Sequence, residues 1–292
     1  MKDISGKTVS ILGCGWLGLP LAEHLLAHPA GFSVKGSTTT PEKLALLASR
    51  GIDPHHLSFT PSPQGEHVEA FFESESLVVD IPPRLSKQGE EFHPQQLEHI
   101  VRLVEKSPIK NIIYLSSTSV YPALNRLVTE EDVRQPDESA SPALVKAEQQ
   151  MASLRADRHV TILRCGGLMG YDRIPGKYVK GQKNLTTGSV PVNYVHRDDV
   201  IALIARILED NEVTDSTFNV VAPFHPTRRE VYEASCAQFG WESPTFLPTA
   251  PNESFKIVVG DKVCSSYDFS FRFPNPLHFY YTQAQSVTEP KA

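Results

Sequence analysis

A G-x-G-x-x-G turn, Gly13-Cys14-Gly15-Trp16-Leu17-Gly18, lies close to the start of the chain, and few folds can use it. The apolar run Thr8–Leu12 stops at Gly13, and Trp16–Ala27 then carries Leu17, Leu21, Leu25 and Leu26 at helical spacing. Strand, glycine turn and helix follow one another as at the start of a dinucleotide-binding βαβ unit. Gly13 makes the tight turn, Gly15 lets the backbone approach a pyrophosphate, and Gly18 lets the helix pack on the strand. The first helical turn, through Trp16 and Leu17, offers unpaired N–H groups and a partial positive charge to the phosphates. A tight turn without a ligand would also use glycines, so the weight comes from the strand and helix around it. The same stretch, Val9–Ala22 behind Lys2 and Lys7, has the outline of a secretion signal. Asp3 and the glycines argue against that reading, because they weaken an apolar helix.

The pattern continues in the same rhythm. Phe32–Gly36 reads as a strand, and Thr40-Pro41-Glu42 opens a helix that Gly51 closes. Leu77–Ile81 is the third clear strand, stopped by Pro82-Pro83, and Gln95–Lys106 is a helix. Asn111–Ser116 is a buried strand, Pro142–Leu154 a helix and Val160–Arg164 a strand. Strands separated by helices imply parallel pairing, and the handedness of such crossovers gives a doubly wound sheet covered on both faces. Further on, Asp198-Asp199 precedes a helix over Val200–Leu208, and Thr217–Val221 is another strand. Thr227-Arg228-Arg229-Glu230 matches a capping box for a helix that ends at Gly240. The tail from Trp241 is rich in Pro and Phe and reads as irregular with short strands.

At 292 residues the chain exceeds the about 100–200 residues of an average domain. The expected class is α/β, a Rossmann doubly wound parallel sheet with a smaller C-terminal substrate-binding lobe. The dinucleotide-binding domain takes 1–168 and receives about 192–222, and 169–191 with 223–292 build the lobe. With 28 Lys+Arg against 34 Asp+Glu, the net charge is −6, and no basic block points to nucleic acid. No apolar run reaches the length of a membrane span. Cys14, Cys165, Cys236 and Cys264 are far apart, which suggests reduced thiols, a cytoplasmic protein and no metal site. His55-His56 reads as a solvated loop rather than a ligand pair.

The end of the second strand chooses between cofactors. An acid there would hold the ribose 2′-hydroxyl of NAD. Val34-Lys35-Gly36-Ser37-Thr38-Thr39 has none, and Ser37, Thr38, Thr39 and Lys43 suit a 2′-phosphate, so NADP is preferred over NAD. Capping of the following helix by the same hydroxyls is compatible with this. Ile81 and Pro82, then Leu115 and Ser116, lie at carboxyl ends of strands, where ligands bind, and complete the cofactor set. Asp80 ends the third strand at the same edge, as a ligand contact or an exposed strand-end acid.

Ile112-Ile113-Tyr114-Leu115-Ser116-Ser117-Thr118-Ser119-Val120-Tyr121-Pro122 resembles a signature of the extended short-chain dehydrogenase/reductases, the nucleotide-sugar epimerases and dehydratases. Ile162-Leu163-Arg164 followed by Gly166-Gly167-Leu168-Met169-Gly170, Val192–Val200 with its N-x-x-H-x-x-D pattern, and Phe218-Asn219-Val220-Val221 agree in order and spacing. The resemblance covers roughly residues 5–240, and the tail is closest to the atypical, YeeZ-like branch. It implies a hydride transfer with NAD(P), in which a Ser or Thr at the position of Ser117 bonds the reacting substrate oxygen. It also implies a Tyr-x-x-x-Lys pair, in which the ammonium lowers the phenol's pKa. Here the sequence departs from the family. Lys146 matches the lysine in one register, with Pro142 at the tyrosine position. Anchoring on Glu148 puts Ala140 and Leu144 in the two positions instead.

Ser117, Lys146 and Tyr121, the nearest other phenol, are therefore the catalytic candidates. Asp198-Asp199 reads as a helix N-terminal charge pair rather than a dyad. His196 reads as a packing residue held by a hydrogen bond. Arg84 and Arg173 lie in loops able to reach a phosphate or carboxylate. Two functions stand open. One is an NADP-dependent oxidoreductase or epimerase acting on a nucleotide sugar or another small carbonyl or hydroxyl substrate. The other is a non-catalytic NADP(H)-binding sensor or scaffold. Either works as a monomer or homodimer.

Overall fold

The computed structural model describes residues 7–83, 85–209, 214–248 and 253–283. Its strands are β1 (Thr8–Leu12), β2 (Ser33–Thr38), β3 (Asp53–Phe59), β4 (Pro63–Gly65), β5 (Ser76–Val79) and β6 (Asn111–Ser117), followed by β7 (Leu127–Val128), β8 (His159–Cys165), β9 (Gly167–Met169), β10 (Tyr194–His196), β11 (Ser216–Val220) and β12 (Ile257–Val258). Its α-helices are α1 (Gly18–Leu26), α2 (Leu44–Ser49), α3 (Val68–Phe71), α4 (Leu85–Gln88) and α5 (Phe92–Glu105), then α6 (Pro142–Ala152), α7 (Pro175–Val179), α8 (Arg197–Glu209), α9 (Arg228–Gln238) and α10 (Asp261–Tyr267).

Eight strands form one sheet in the order β11-β8-β6-β5-β1-β2-β3-β4. Every neighbouring pair is parallel except the antiparallel β3–β4 edge. This is the doubly wound α/β sheet that the alternation of strands and helices predicts. Its central strands β1, β5, β6 and β8 are buried on both sides because helices cover both faces. On one face Leu21 and Leu25 of α1 meet Val200, Leu203, Ile204 and Ile207 of α8. On the other, Leu97, Ile100 and Val104 of α5 pack with Met151 of α6 against Leu77 and Ile112.

Several boundaries differ from the sequence expectation. His55 and His56 lie within β3, not in a loop, pairing with Ser37 and Thr38 and so extending β2 two residues past Gly36. The polar Asp53-Pro54-His55-His56 start hides this strand, and its place beside the sheet edge tolerates the proline and the histidines. Helix α1 starts at Gly18 rather than Trp16, and α5 starts at Phe92 rather than Gln95. The tail carries the short strand β12, in keeping with the expectation, and the helix α10, which departs from it. Two small parallel ladders, β10–β9 and β12–β7, lie outside the main sheet.

No described helix is long and apolar enough to cross a membrane. The four cysteines are free thiols, three of them buried.

Candidate functional site

The glycine turn sits at the carboxyl edge of the sheet's centre, between β1 and α1. Gly13 has φ +110°, and a Cβ there would strike the carbonyl of Asp80 at the end of β5. A Cβ on Gly18 would strike the Gly13 carbonyl oxygen, so this glycine lets α1 lie close to the turn. Gly15 is different: a Cβ there meets nothing within 4 Å, and the residue faces a cavity of about 400 Å³. The fold needs the outer two glycines, whereas the middle one keeps open space open.

The end of β2 is tied to the turn. The Gly13 N–H donates to Ser37 Oγ at 2.9 Å and the Cys14 N–H to the Ser37 carbonyl at 2.8 Å. Ser37 and Thr38 are buried, and Thr38 Oγ1 accepts the Thr40 N–H at 3.2 Å. Thr39 and Lys43 are exposed along the cavity, whose lining also includes Ile81 and Pro82. Four other residues of the expected cofactor set point elsewhere. The Leu17 side chain is in the core. Trp16 Nε1 donates to Asp172 Oδ1 at 2.6 Å, with the Arg173 guanidinium 4.0 Å from its ring centre. Leu115 packs against the core, and Ser116 Oγ donates to Glu148 Oε1 at 2.5 Å. Trp16 and Leu17 can thus offer only backbone to a ligand here, and the Ser116 hydroxyl is already spent.

Asp80 borders the same cavity. Loss of water around it pushes its carboxyl up to about 7, against the opposing pull of Arg173 and of the Gly18 N–H bonded to it. It is a titratable group at the mouth of a helix N-terminus.

A second cavity, of about 310 Å³, opens at the end of β6, where Ser117 begins a helical turn. Ser117 Oγ accepts the Ser119 N–H at 3.1 Å, which leaves its own proton free to donate. Arg228, Tyr232, Tyr194 and Lys256 complete the polar wall. Lys256 Nζ donates to the carbonyls of Thr118 and Tyr121 at 3.0 and 2.5 Å, and burial lowers its pKa. Asn193 holds this segment in place: its Oδ1 accepts the Val258 N–H at 2.8 Å and its Nδ2 donates to the Lys256 carbonyl at 3.0 Å. Neither cation is expected from the sequence. Arg228 lies inside the capping box, where it reads as helix start, and Lys256 comes from the unpatterned tail.

Two catalytic candidates lie apart from the lining of both cavities. Lys146 is exposed on α6 and pairs with Glu91 at 2.7 Å, away from the lining of either cavity. Tyr121 is buried, its hydroxyl donating to Asn219 Oδ1 at 2.6 Å and accepting from Arg164 Nη1 at 2.9 Å. Burial pushes that phenol up to about 12, the opposite of what a proton-transfer group needs. Arg164 in turn grips Glu148 and the carbonyl of Val133, so Tyr121 belongs to a closed polar network in the core.

The remaining candidates are structural or unplaced. His196 is buried, its Nδ1 accepting the Asp198 N–H at 3.2 Å and its Nε2 facing the Tyr280 carbonyl at 3.3 Å. It stacks on Phe273 with ring centres 4.0 Å apart, the packing role expected of it. Asp199 accepts the N–H groups of Arg272 and Phe273 at 2.7 and 3.1 Å, and Asp198 accepts the Tyr171 hydroxyl at 2.8 Å. The acid pair anchors loop and tail. Arg84 lies outside the described residues.

The doubly wound sheet with its glycine turn is a fold shared with sugar-nucleotide enzymes. The UDP-Glc/GlcNAc 4-epimerase of Campylobacter jejuni superposes with a TM-score of 0.76 at 15% identity, covering 93% of this chain and 96% of that one. A UDP-glucuronic acid 4-epimerase of Bacillus cereus, solved in complex with NAD, gives 0.73 at 13% identity over 94% of each chain. The fold is therefore the Rossmann-like one of these epimerases. Within it, protein YeeZ of Escherichia coli K12 is 34% identical over 273 residues, 93% of this chain and 98% of that protein. The chain belongs to the YeeZ family. No protein-family model matches it.

Proposed function

We propose that the protein is an NADP-dependent oxidoreductase or epimerase of the atypical short-chain type, acting on a small carbonyl or hydroxyl compound such as a nucleotide sugar. The observation that carries this reading is Gly15, a glycine that no protein atom requires, facing open space at the start of α1. The neighbouring cavity suits the adenosine half of a dinucleotide, with the backbone of the turn for its pyrophosphate. Thr39 and Lys43, with no acid at the end of β2, favour the 2′-phosphate of NADP over the bare ribose of NAD. Arg173, which acts on Asp80 electrostatically, adds positive charge near the turn. Bound there, the nicotinamide supplies or accepts a hydride.

Ser117 orients the substrate oxygen. Its hydroxyl proton is uncommitted, and a second cavity opens beside it. Neither register of α6 supplies the family's tyrosine, and Lys146, the lysine of one register, is paired with Glu91. Glu148 of that helix bonds Ser116 and Arg164, which favours the register anchored on it. One turn earlier is Leu144, buried with Val221 and Val258, and Ala140 precedes it. Those apolar residues also favour the second reading, a non-catalytic NADP(H)-binding sensor or scaffold. On either reading residues 1–168 with about 192–222 bind the dinucleotide, and 169–191 with 223–292 form the substrate lobe of a cytoplasmic monomer or homodimer.

NADPH fluorescence on titration should show tight binding and NADH weak binding. The absence of binding by both would overturn the two readings together. Turnover on a carbonyl and nucleotide-sugar panel that falls in Ser117→Ala supports the enzyme. Tight NADPH binding with no turnover across that panel supports the sensor.

A further inference from the structure

We infer that the Ser117 cavity selects compounds carrying an oxyanion, a carboxylate or a phosphate, and that Arg228 and Lys256 hold it. This rests on the oxidoreductase reading and names the class of substrate that reading leaves open. The cavity is lined by two cationic side chains and by no carboxylate.

Arg228 is the stronger indication. It is half-buried, yet its guanidinium makes no hydrogen bond or ion pair among the described residues. Its planar donors stay unspent beside the cavity, and an oxyanion is the partner that such a fork fits. Arg229, the next residue, is spent in the ordinary way: it lies 4.4 Å from the centre of the Phe246 ring and 3.8 Å from Glu233. Arg228 also occupies the first turn of α9, where the helix dipole disfavours a cation. Helix stability does not account for it, whereas an anion in the cavity would benefit from both charges.

Lys256 complements it. Its two bonds go to neutral carbonyls, which fix the ammonium in place without cancelling its charge and leave it one further donor. The segment that delivers it is pinned on three sides. Asn193 makes the two bonds described above, β12 pairs with β7, and Asn125 exchanges bonds of 2.8 Å with the backbone of Phe255. A cation so fixed needs no reorganisation when an anion arrives. With the Ser117 hydroxyl on the same wall, the oxyanion and the reacting oxygen would be recognised side by side.

The test uses the full chain loaded with NADPH, at fixed ionic strength, titrated with inorganic phosphate, acetate, or acetamide as the neutral isostere of acetate. Thermal shift and calorimetry should show saturable binding of phosphate, of acetate or of both, and none of acetamide. Preference for one anion tells phosphate from carboxylate as the natural group. Arg228→Gln and Lys256→Met should each weaken the anion about tenfold or more, as expected for a lost charge-assisted hydrogen bond, and leave NADPH affinity unchanged. Arg228→Lys should restore part of the loss. The inference is overturned if NADPH binds while neither anion saturates, or if Arg228→Gln binds anions as the parent does. Failure of NADPH itself to bind counts against the oxidoreductase reading only, and the same titration without nucleotide then decides the anion site. Arg228→Gln breaks no bond within the fold, so it remains informative should Lys256→Met fail to fold.

Discussion

Arg164 of β8 and Glu148 of α6 meet through three nitrogen–oxygen contacts, Nε to Oε1 at 3.0 Å and to Oε2 at 3.2 Å and Nη2 to Oε2 at 2.7 Å, both groups buried. Ser116, Tyr121 and the Val133 carbonyl take up the remaining capacity, so neither charge is orphaned. Removing one partner strands the other in the core. Glu148→Ala is expected to cost about 3–5 kcal/mol in urea unfolding. Lys146→Ala, on the same helix with its ammonium in water beside Glu91, should leave the unfolding curve and NADPH affinity unchanged. A loss of NADPH binding in Lys146→Ala would restore that lysine to the site.

The glycines of the turn separate folding from binding. Gly18→Ala pushes a methyl into the Gly13 carbonyl, and backbone cannot yield as a flexible side chain can. A loss of about 1–3 kcal/mol and a lower Tm are expected. Gly15→Ala has free space on the protein side and should keep the parent's Tm. Its methyl occupies the approach of the pyrophosphate, so NADPH affinity should drop at least about tenfold, read by fluorescence titration. Equal Tm losses in both variants would mean that Gly15 serves the turn alone.

The backbone plan was legible because glycine spacing and helical periodicity are local. Gly13 to Gly18, the strand Thr8–Leu12 and the apolar stripe of α8 could each be read from a few residues. What escaped depends on distant partners. His55 and His56 are strand because Ser37 and Thr38 lie beside them, and nothing in Asp53-Pro54-His55-His56 announces that. Ser116 and Tyr121 look available for chemistry in the sequence, yet Glu148, Arg164 and Asn219, all far along the chain, occupy their hydroxyls. Lys256 enters the Ser117 cavity only because Asn193 and β7 hold a tail segment without hydrophobic rhythm.

Cofactor choice can be tested at the end of β2. Thr39 is exposed at the cavity and spends no side-chain bond on the fold, unlike Ser37 and Thr38. Thr39→Asp introduces a charge that repels a 2′-phosphate and can accept from a ribose hydroxyl. NADPH should weaken by about tenfold or more while NADH strengthens, and Lys43→Ala should weaken NADPH without helping NADH. Parallel changes for both nucleotides would remove the basis for preferring NADP.

Asp80 should make binding and stability depend on pH near neutrality. Its carboxyl titrates at about 7 in the fold, above the ordinary 3.8, so the folded chain holds a proton that the unfolded chain releases. Its contribution to stability is therefore complete below pH 3.8 and is lost as pH rises through about 7. The same ionisation places a negative charge at the α1 N-terminus, bonded to the Gly18 N–H, where a pyrophosphate would compete with it. Cys14, pushed up to about 12, stays neutral over this range. Asp80→Asn should raise the Tm at pH 8 more than at pH 5. The ratio of its NADPH affinity to that of the parent should climb between pH 6 and pH 8, a comparison that cancels ionisation of the nucleotide's own phosphate. A ratio that stays flat across that interval would mean that Asp80 is already ionised below pH 6 and does not face the cofactor.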